Sequence, residues 1–276
     1  MDENAFKKLP DRVKAQLRRS LRLKTTRSEM DTLPIGVSRL GGIPDVPTGF
    51  DWPRYNDSPL SFIAQLQLDE IPLDHVDLPL PKTGSLLFFY DSKQRTWGFD
   101  PKDRGSALVL LTESSPDKLI RTNPPTDTPK MGLFDCCRIH FEPSVNLPDV
   151  CSIHYQPELS DSERDLFFDY FDWCQSKTVG PKHRLGGHAE CVQNPMELEC
   201  QLVANGLYCG DSSGYEDSRR ASLEKTATDW KLLLQIDSDD EASMMWGDVG
   251  TIYFWIRETD LRDCKFERTW LVLQCG

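Results

Sequence analysis

Gly84-Ser85-Leu86-Leu87-Phe88-Phe89-Tyr90 recurs, almost type for type, as Gly250-Thr251-Ile252-Tyr253-Phe254-Trp255-Ile256. Each is a continuous apolar run behind a glycine, the length of a buried strand and too short for a helix. Three further blocks repeat in the same order around them. Arg39-Leu40-Gly41-Gly42 returns as Arg184-Leu185-Gly186-Gly187, Ala64-Gln65-Leu66-Gln67-Leu68-Asp69-Glu70 as Leu234-Gln235-Ile236-Asp237-Ser238-Asp239-Asp240, and Leu108-Val109-Leu110 as Leu271-Val272-Leu273. Such collinearity predicts an internally duplicated, mainly β, α+β fold. Its two halves are expected to share one core about a pseudo-two-fold axis, because each offers too few strands to bury both faces of a sheet alone. The expected units are a first β-rich repeat over 31–135, a connecting segment with a helix over 136–182, and a second repeat over 183–276, all in one compact body.

Outward from these blocks the patterns are local. Phe6, Leu9, Val13, Leu17 and Leu21 recur at three and four residues, which predicts a basic amphipathic helix over 1–30. Residues 1–27 hold nine Lys and Arg against three acids, so the expected docking place of that helix is the acidic body of the same chain. Thr32–Pro59 is dense in Pro and Gly and reads as a turn-rich entry loop. Phe62, Ala64, Leu66 and Leu68 alternate with Ile63, Gln65 and Gln67 as a half-buried strand, and 113–135 reads as an exposed loop. Ser160 with Glu163 forms a capping box ahead of Leu166, Phe167, Tyr170 and Phe171, which predicts a helix ending near Ser176. Asn205-Gly206 between two apolar flanks predicts a hairpin inserted into the second half. Trp230–Ile236, Thr251–Arg257 and Thr269–Cys275 complete the expected strands.

Composition narrows the function. The 276 residues carry 32 Lys and Arg against 44 Asp and Glu, a net charge of −12, which argues against nucleic acid as the main partner. At 38% hydrophobic residues the chain has the makings of a core, yet no apolar run approaches the roughly 20 residues of a membrane span. Asp2 and Glu3 follow Met1 where a signal peptide would be basic and then apolar. Nine scattered Cys read as mostly buried thiols of a reducing compartment, so the expected location is cytoplasmic.

His183–Gly187, Leu198–Asp211 with its Asn205-Gly206-Leu207-Tyr208-Cys209-Gly210-Asp211, and Met245-Trp246-Gly247-Asp248 running into the second apolar run together resemble the YwqG-like family, whose domain is of unknown function. The likeness covers roughly Arg39–Asp100 and His183–Cys275. It implies a duplicated, mainly β fold and supplies no catalytic residues. Where the family usually continues its second glycine pair with an aromatic, a Pro and then Ile-Gln, this chain has His188, Ala189, Glu190, Cys191, Val192 and Gln193.

Chemistry-bearing clusters each have a plainer structural explanation. Gly210-Asp211-Ser212-Ser213-Gly214 fits G-x-S-x-G, but all five His precede Ser212, which breaks the chain order a nucleophile elbow needs. Among His183, His188, Cys191, Cys200 and Cys209 only His188 and Cys191 have metal-ligand spacing, so no metal and no cofactor is expected. Nothing near vicinal Cys136-Cys137 marks a lowered thiol pKa. Asp237, Asp239, Asp240 and Glu241, with Asp248 beyond, have hard oxygens for a divalent ion but lack the EF-hand glycine and terminal Glu, and read as a solvated turn. Gln193, Asn205, Tyr208, Asp211, Trp246 and Asp248 are the candidate ligand-binding surface, aromatic rings beside a few polar groups. Arg39, Gly41, Gly42, Arg184, Gly186 and Gly187 are expected to be scaffold, each Arg holding a carboxylate or carbonyls with its fork of donors. The functional expectation is a non-enzymatic module that binds a protein or a small polar ligand, at the junction of the halves or beside the inserted hairpin. The alternative is a hydrolase using acidic residues, with or without a divalent metal.

Overall fold

Thirteen strands form the framework of the described residues in the computed structural model, which describes residues 7–149, 160–176 and 179–276. In chain order they are β1 (Arg18–Arg27), β2 (Arg39–Leu40), β3 (Asp45–Pro47), β4 (Arg54–Tyr55), β5 (Ser58–Gln67), β6 (Ser85–Asp91), β7 (Ala107–Thr112), β8 (Leu119–Arg121), β9 (Cys137–Asn146), β10 (Arg184–Gly186), β11 (Trp230–Asp237), β12 (Thr251–Arg257) and β13 (Trp270–Gln274). The principal helices are α1 (Asp11–Lys14), α2 (Asp161–Ser176), α3 (Glu197–Ala204) and α4 (Ser213–Glu216).

One antiparallel sheet runs β13-β12-β11-β10-β1-β9-β2-β5-β6-β7, with β4 on the end of β5; β3 and β8 form a separate ribbon. The long sheet curls until its ends nearly meet. Leu273 of β13 donates its N–H to the Trp97 carbonyl at 3.0 Å, and the Trp270 indole donates to the Gly98 carbonyl at 2.8 Å, while β7 packs on the turn at Phe266–Arg268 that leads into β13. Inside lies a single cluster drawn from both ends, including Leu66, Phe88, Tyr90, Leu234, Trp246 and Phe254. Outside, Val46, Trp52, Phe62 and Phe89 cover β5 and β6, and Leu202, Trp230, Tyr253, Trp255 and Trp270 cover β11 to β13. β6 and β12 are therefore buried on both faces, which is why their sequences show no polar alternation.

Two expected elements are corrected. Of the helix expected over 1–30, residues 1–6 lie outside the described residues, α1 covers only Asp11–Lys14, and residues 18–27 are β1, the strand that pairs with β9 along its full length, Arg18 opposite Asn146 to Arg27 opposite Cys137. Leu21 and Leu23 point into the core beside half-buried Arg22 and Lys24, a period of two that outweighs the helical spacing of Leu17 and Leu21. The inserted hairpin is helix α3. Its Asn205-Gly206 closes the helix: Gly206 N–H donates to the Val203 carbonyl at 2.9 Å and Leu207 N–H to the Leu202 carbonyl at 3.1 Å, the paired bonds of a Schellman cap, with Gly206 at φ +85°. The Ser160 capping box stands as expected, with Ser160 N–H donating to Glu163 Oε2 at 2.8 Å at the start of α2.

Candidate functional site

The two Arg-Leu-Gly-Gly loops are built on the same hydrogen bonds. Arg39 donates to Asp45 Oδ2 at 2.9 Å, Asp45 N–H donates to Gln65 Oε1 at 2.9 Å, and Gln65 Nε2 donates to the Val37 carbonyl at 3.2 Å. Arg184 donates to Glu190 Oε1, Glu190 N–H donates to Gln235 Oε1 at 3.0 Å, and Gln235 Nε2 donates to the Lys182 carbonyl at 2.8 Å. The residues just before each Arg act alike as well: Ser38 Oγ accepts from Gln67 N–H at 2.8 Å and His183 Nδ1 from Asp237 N–H at 3.1 Å. The second glycine of each pair is crowded by neighbouring side chains. A Cβ on Gly42 would lie 2.5 Å from Met30 Sδ, and one on Gly187 would lie 2.7 Å from Ser20 Cβ of β1.

What differs is the cover. In the first loop the Arg39 and Asp45 side chains are 0% exposed, and Arg121 of β8 closes over them with Nε 3.3 Å from Asp45 Oδ1. Burial pulls the Arg39 pKa down against the opposing pull of Asp45. In the second loop Lys182 Nζ lies 3.3 Å from Glu190 Oε2, and among the described residues no ribbon like β3-β8 lies over the pair. Burial pushes the Glu190 carboxyl up, but Arg184 and Lys182 more than offset it and hold it below the usual carboxylate range.

Above this second network lies a cavity of about 530 Å³ at the middle of the sheet. Arg22 of β1, Val145 of β9, Arg184 of β10 and Glu190 line it from the sheet side, and Tyr170 and Trp173 of α2 wall it. Those two rings stack at 5.9 Å, and α2 is held by Leu9, Val13, Leu147 and Phe167 packed together. The Tyr253 hydroxyl donates to the Glu190 carbonyl at 2.7 Å and fixes the loop from below. Such a hollow offers charged donors and acceptors on a rigid floor and flat apolar faces opposite, the arrangement of a small-ligand site.

A second hollow, a groove of about 660 Å³, runs between α3 and β13. Of the six residues expected to form one ligand surface, Gln193 and Asp211 line this groove. Tyr208 stands beside it with its ring edge-on to Phe99 at 5.8 Å. The others are elsewhere. Asn205 is in the α3 cap, its Nδ2 donating to the Gln201 carbonyl at 2.7 Å. Trp246 is fully buried in the interior, and Asp248 is exposed with its carbonyl accepting from Gly276 N–H at 3.3 Å. Glu199 and Tyr215 in the groove, and Tyr170 and Trp173 at the cavity, carried no motif in the sequence. The one available signal was a helical reading of Leu198–Val203, which places Glu199 and Val203 on one side four residues apart.

The remaining clusters are engaged locally. His183 Nε2 lies 3.1 Å from Asp239 Oδ2, and His188 Nε2 lies 2.8 Å from the Gln16 carbonyl. Cys200 and Cys209 lie in the apolar layer under α3, where burial pushes the Cys209 thiol up to about 12. Among the described residues no three His, Cys, Asp or Glu side chains gather as a metal site. Asp237 accepts from Lys182 N–H, Ser238 N–H and Thr251 Oγ1, and Asp239 from Glu241 N–H and Thr25 Oγ1. Vicinal Cys136 and Cys137 are buried, and desolvation raises both thiols, Cys137 to about 12. Among the described residues no helix is long and apolar enough to cross a membrane. No curated protein matches the chain. A family model does, that of a domain of unknown function named DUF1963, over residues 38–275, from just before the first Arg-Leu-Gly-Gly to the end of β13; the chain belongs to the DUF1963 family.

Proposed function

We propose that the protein is a non-catalytic binding module, and that its ligand site is the central cavity between Arg184 and α2, where two duplicated halves meet across β1 and β9. The observation that carries this reading is the cavity itself: about 530 Å³, floored by an ordered ion-pair network and walled by stacked rings. Duplication is supported by register. Arg39 faces Gln65 as Arg184 faces Gln235, and both following strand pairs shift register at matching places, Phe62/Ala64 and Leu232/Leu234. Phe88 and Phe254, matching residues of the repeat, meet ring to ring at 5.1 Å in the core. The YwqG-like resemblance within the family rests on the blocks that carry these contacts, and the mostly buried thiols among the described residues support a cytoplasmic location. The hydrolase alternative has less behind it, because the carboxylates of Asp237 and Asp239 already accept several hydrogen bonds from the fold.

Val145→Trp is the test. Val145 is half-buried on β9 and lines the cavity, so an indole there fills space while keeping a side chain suited to a strand. In a thermal-shift screen of small polar aromatic compounds, ligands that raise the melting temperature of the wild type are expected to leave Val145→Trp unmoved. At a free concentration 100 times Kd the lost stabilisation is about 2.7 kcal/mol. Equal shifts in both proteins would remove the cavity from consideration.

A further inference from the structure

We propose that the groove between α3 and β13 is a second binding site, one that takes an alkylammonium ion, with Glu199 receiving the cation and Trp97, Phe99 and Tyr215 flanking its hydrocarbon. Among the described residues the groove is lined by two carboxyl side chains, Glu199 and Asp211, and by no Lys, Arg or His. Several other acids set into the fold have a cation, Asp45 with Arg39, Glu190 with Arg184 and Lys182, and Asp260 with Arg268, while buried Asp91 has instead the backbone N–H groups of Lys93 and Arg95. Glu199 instead accepts a hydrogen bond from the Tyr215 hydroxyl at 3.1 Å, and the other titratable groups that face it are the thiols of Cys200 and Cys209. Glu199 is half-buried, and a partly desolvated carboxylate without a counter-charge is costly, so an entering ammonium supplies the missing charge.

The rest of the groove fits the same ligand. Its aromatic faces suit a cation and the methylenes next to it. Asp211 is exposed at the rim, and the hydrogen bonds from Ser213 hold its carboxyl below the usual range, so it is charged where a cation would approach. The walls are fixed before any ligand arrives. Gln274 Oε1 accepts from Val192 N–H at 3.1 Å and Gln193 N–H at 3.0 Å, its Nε2 donates to the Asn194 carbonyl at 2.7 Å, and Cys209 N–H donates to the Phe99 carbonyl at 2.8 Å. At about 660 Å³ the hollow has the volume of a small-molecule site.

Burial raises the Glu199 pKa, so binding a cation displaces a proton from it at a pH below that raised value. Isothermal titration of the full chain with n-butylammonium chloride, and with 1-butanol as the neutral match, tests this. The ammonium is expected to bind and the alcohol not. Affinity should climb as pH rises through the Glu199 pKa and level off above it. Titrations in two buffers of different ionisation enthalpy should show proton release on the low-pH side. Glu199→Gln should weaken n-butylammonium by about tenfold or more and abolish the proton release. The variant is expected to fold. A carboxyl whose folded pKa is raised contributes stability that is full below the unfolded pKa and lost as pH rises through the folded one, so at neutral pH the Gln variant melts no lower than the wild type. Tyr215→Phe keeps the ring and carboxyl, and is expected to retain binding. Equal binding of alcohol and ammonium, no binding of either, or a Glu199→Gln variant that binds n-butylammonium as tightly as wild type would each overturn the proposal.

Discussion

Asp45→Ala is expected to lower the unfolding free energy by about 3–5 kcal/mol, the cost of leaving a buried charge without its partner. The Arg39 guanidinium has no exposed surface, and after the substitution it keeps only neutral acceptors, among them the Val37 and Ile43 carbonyls. Two more donors lose their acceptor at once: Gly36 N–H, 2.7 Å from Asp45 Oδ2, and Arg121 Nε, 3.3 Å from Oδ1. Glu190→Ala should cost less, because Arg184 and Glu190 retain 6% and 14% exposure and water can reach what is left. Arg39→Lys and Arg184→Lys keep the charge but lose the fork, so both midpoints should fall, Arg39→Lys further. Urea denaturation with an unchanged m-value reads all four. A loss below about 1 kcal/mol for Asp45→Ala would mean that the network is not what fixes the first loop to the sheet.

Gly98→Ala should destabilise the seam where the sheet closes on itself. Gly98 has φ +91°, and a Cβ there would lie 2.0 Å from the Leu271 carbonyl oxygen and 3.0 Å from Val272 Cα. Both neighbours are backbone of β13, so no side chain can swing aside. Left-handed backbone alone costs a non-glycine residue about 1–3 kcal/mol, and displacing β13 adds to that. The hydrogen bonds from Leu273 N–H to Trp97 and from the Trp270 indole to Gly98 would lengthen together. Amide exchange at Leu273 should therefore speed up in Gly98→Ala while the β1 and β9 ladder stays protected. Gly49→Ala is the control, at φ +82° with nothing within 4 Å of its Cβ; it should show the conformational cost without loss of the seam.

The strands that repeat were legible because burial on both faces leaves a simple mark, a short apolar run between glycines and charges. The centre of the sheet was not. β9, Cys137–Asn146, alternates Cys137, Ile139 and Phe141 with charged and polar residues, but Pro143 and a polar second half hide the pattern within a stretch read as a connection. β1 was masked by a coincidence of spacing: Leu9, in the bend before α1, and Val13 on α1 do pack in one cluster, and Leu21 belongs to a strand that begins after them. Asn205-Gly206 satisfies both a hairpin turn and a helix cap, and only the residues before it, Leu198, Leu202 and Val203 with helical spacing, decide between them. The candidate sites were harder still. Arg184 stood out through its repeat, but the cavity above it depends on α2 crossing the sheet, and Glu199 acquires its interest only from the lack of a cation among the described residues that line its groove.

The central claim, that the cavity over Arg184 is the ligand site, is tested most directly by electron density from a crystal of protein purified without stripping bound molecules. Continuous density for a non-protein molecule is expected between the Arg184–Glu190 pair and the rings of Tyr170 and Trp173, and is expected to be lost in crystals of Val145→Trp. A cavity filled by the chain's own side chains, or by ordered water alone in crystals soaked with the hits of the thermal screen, would contradict it.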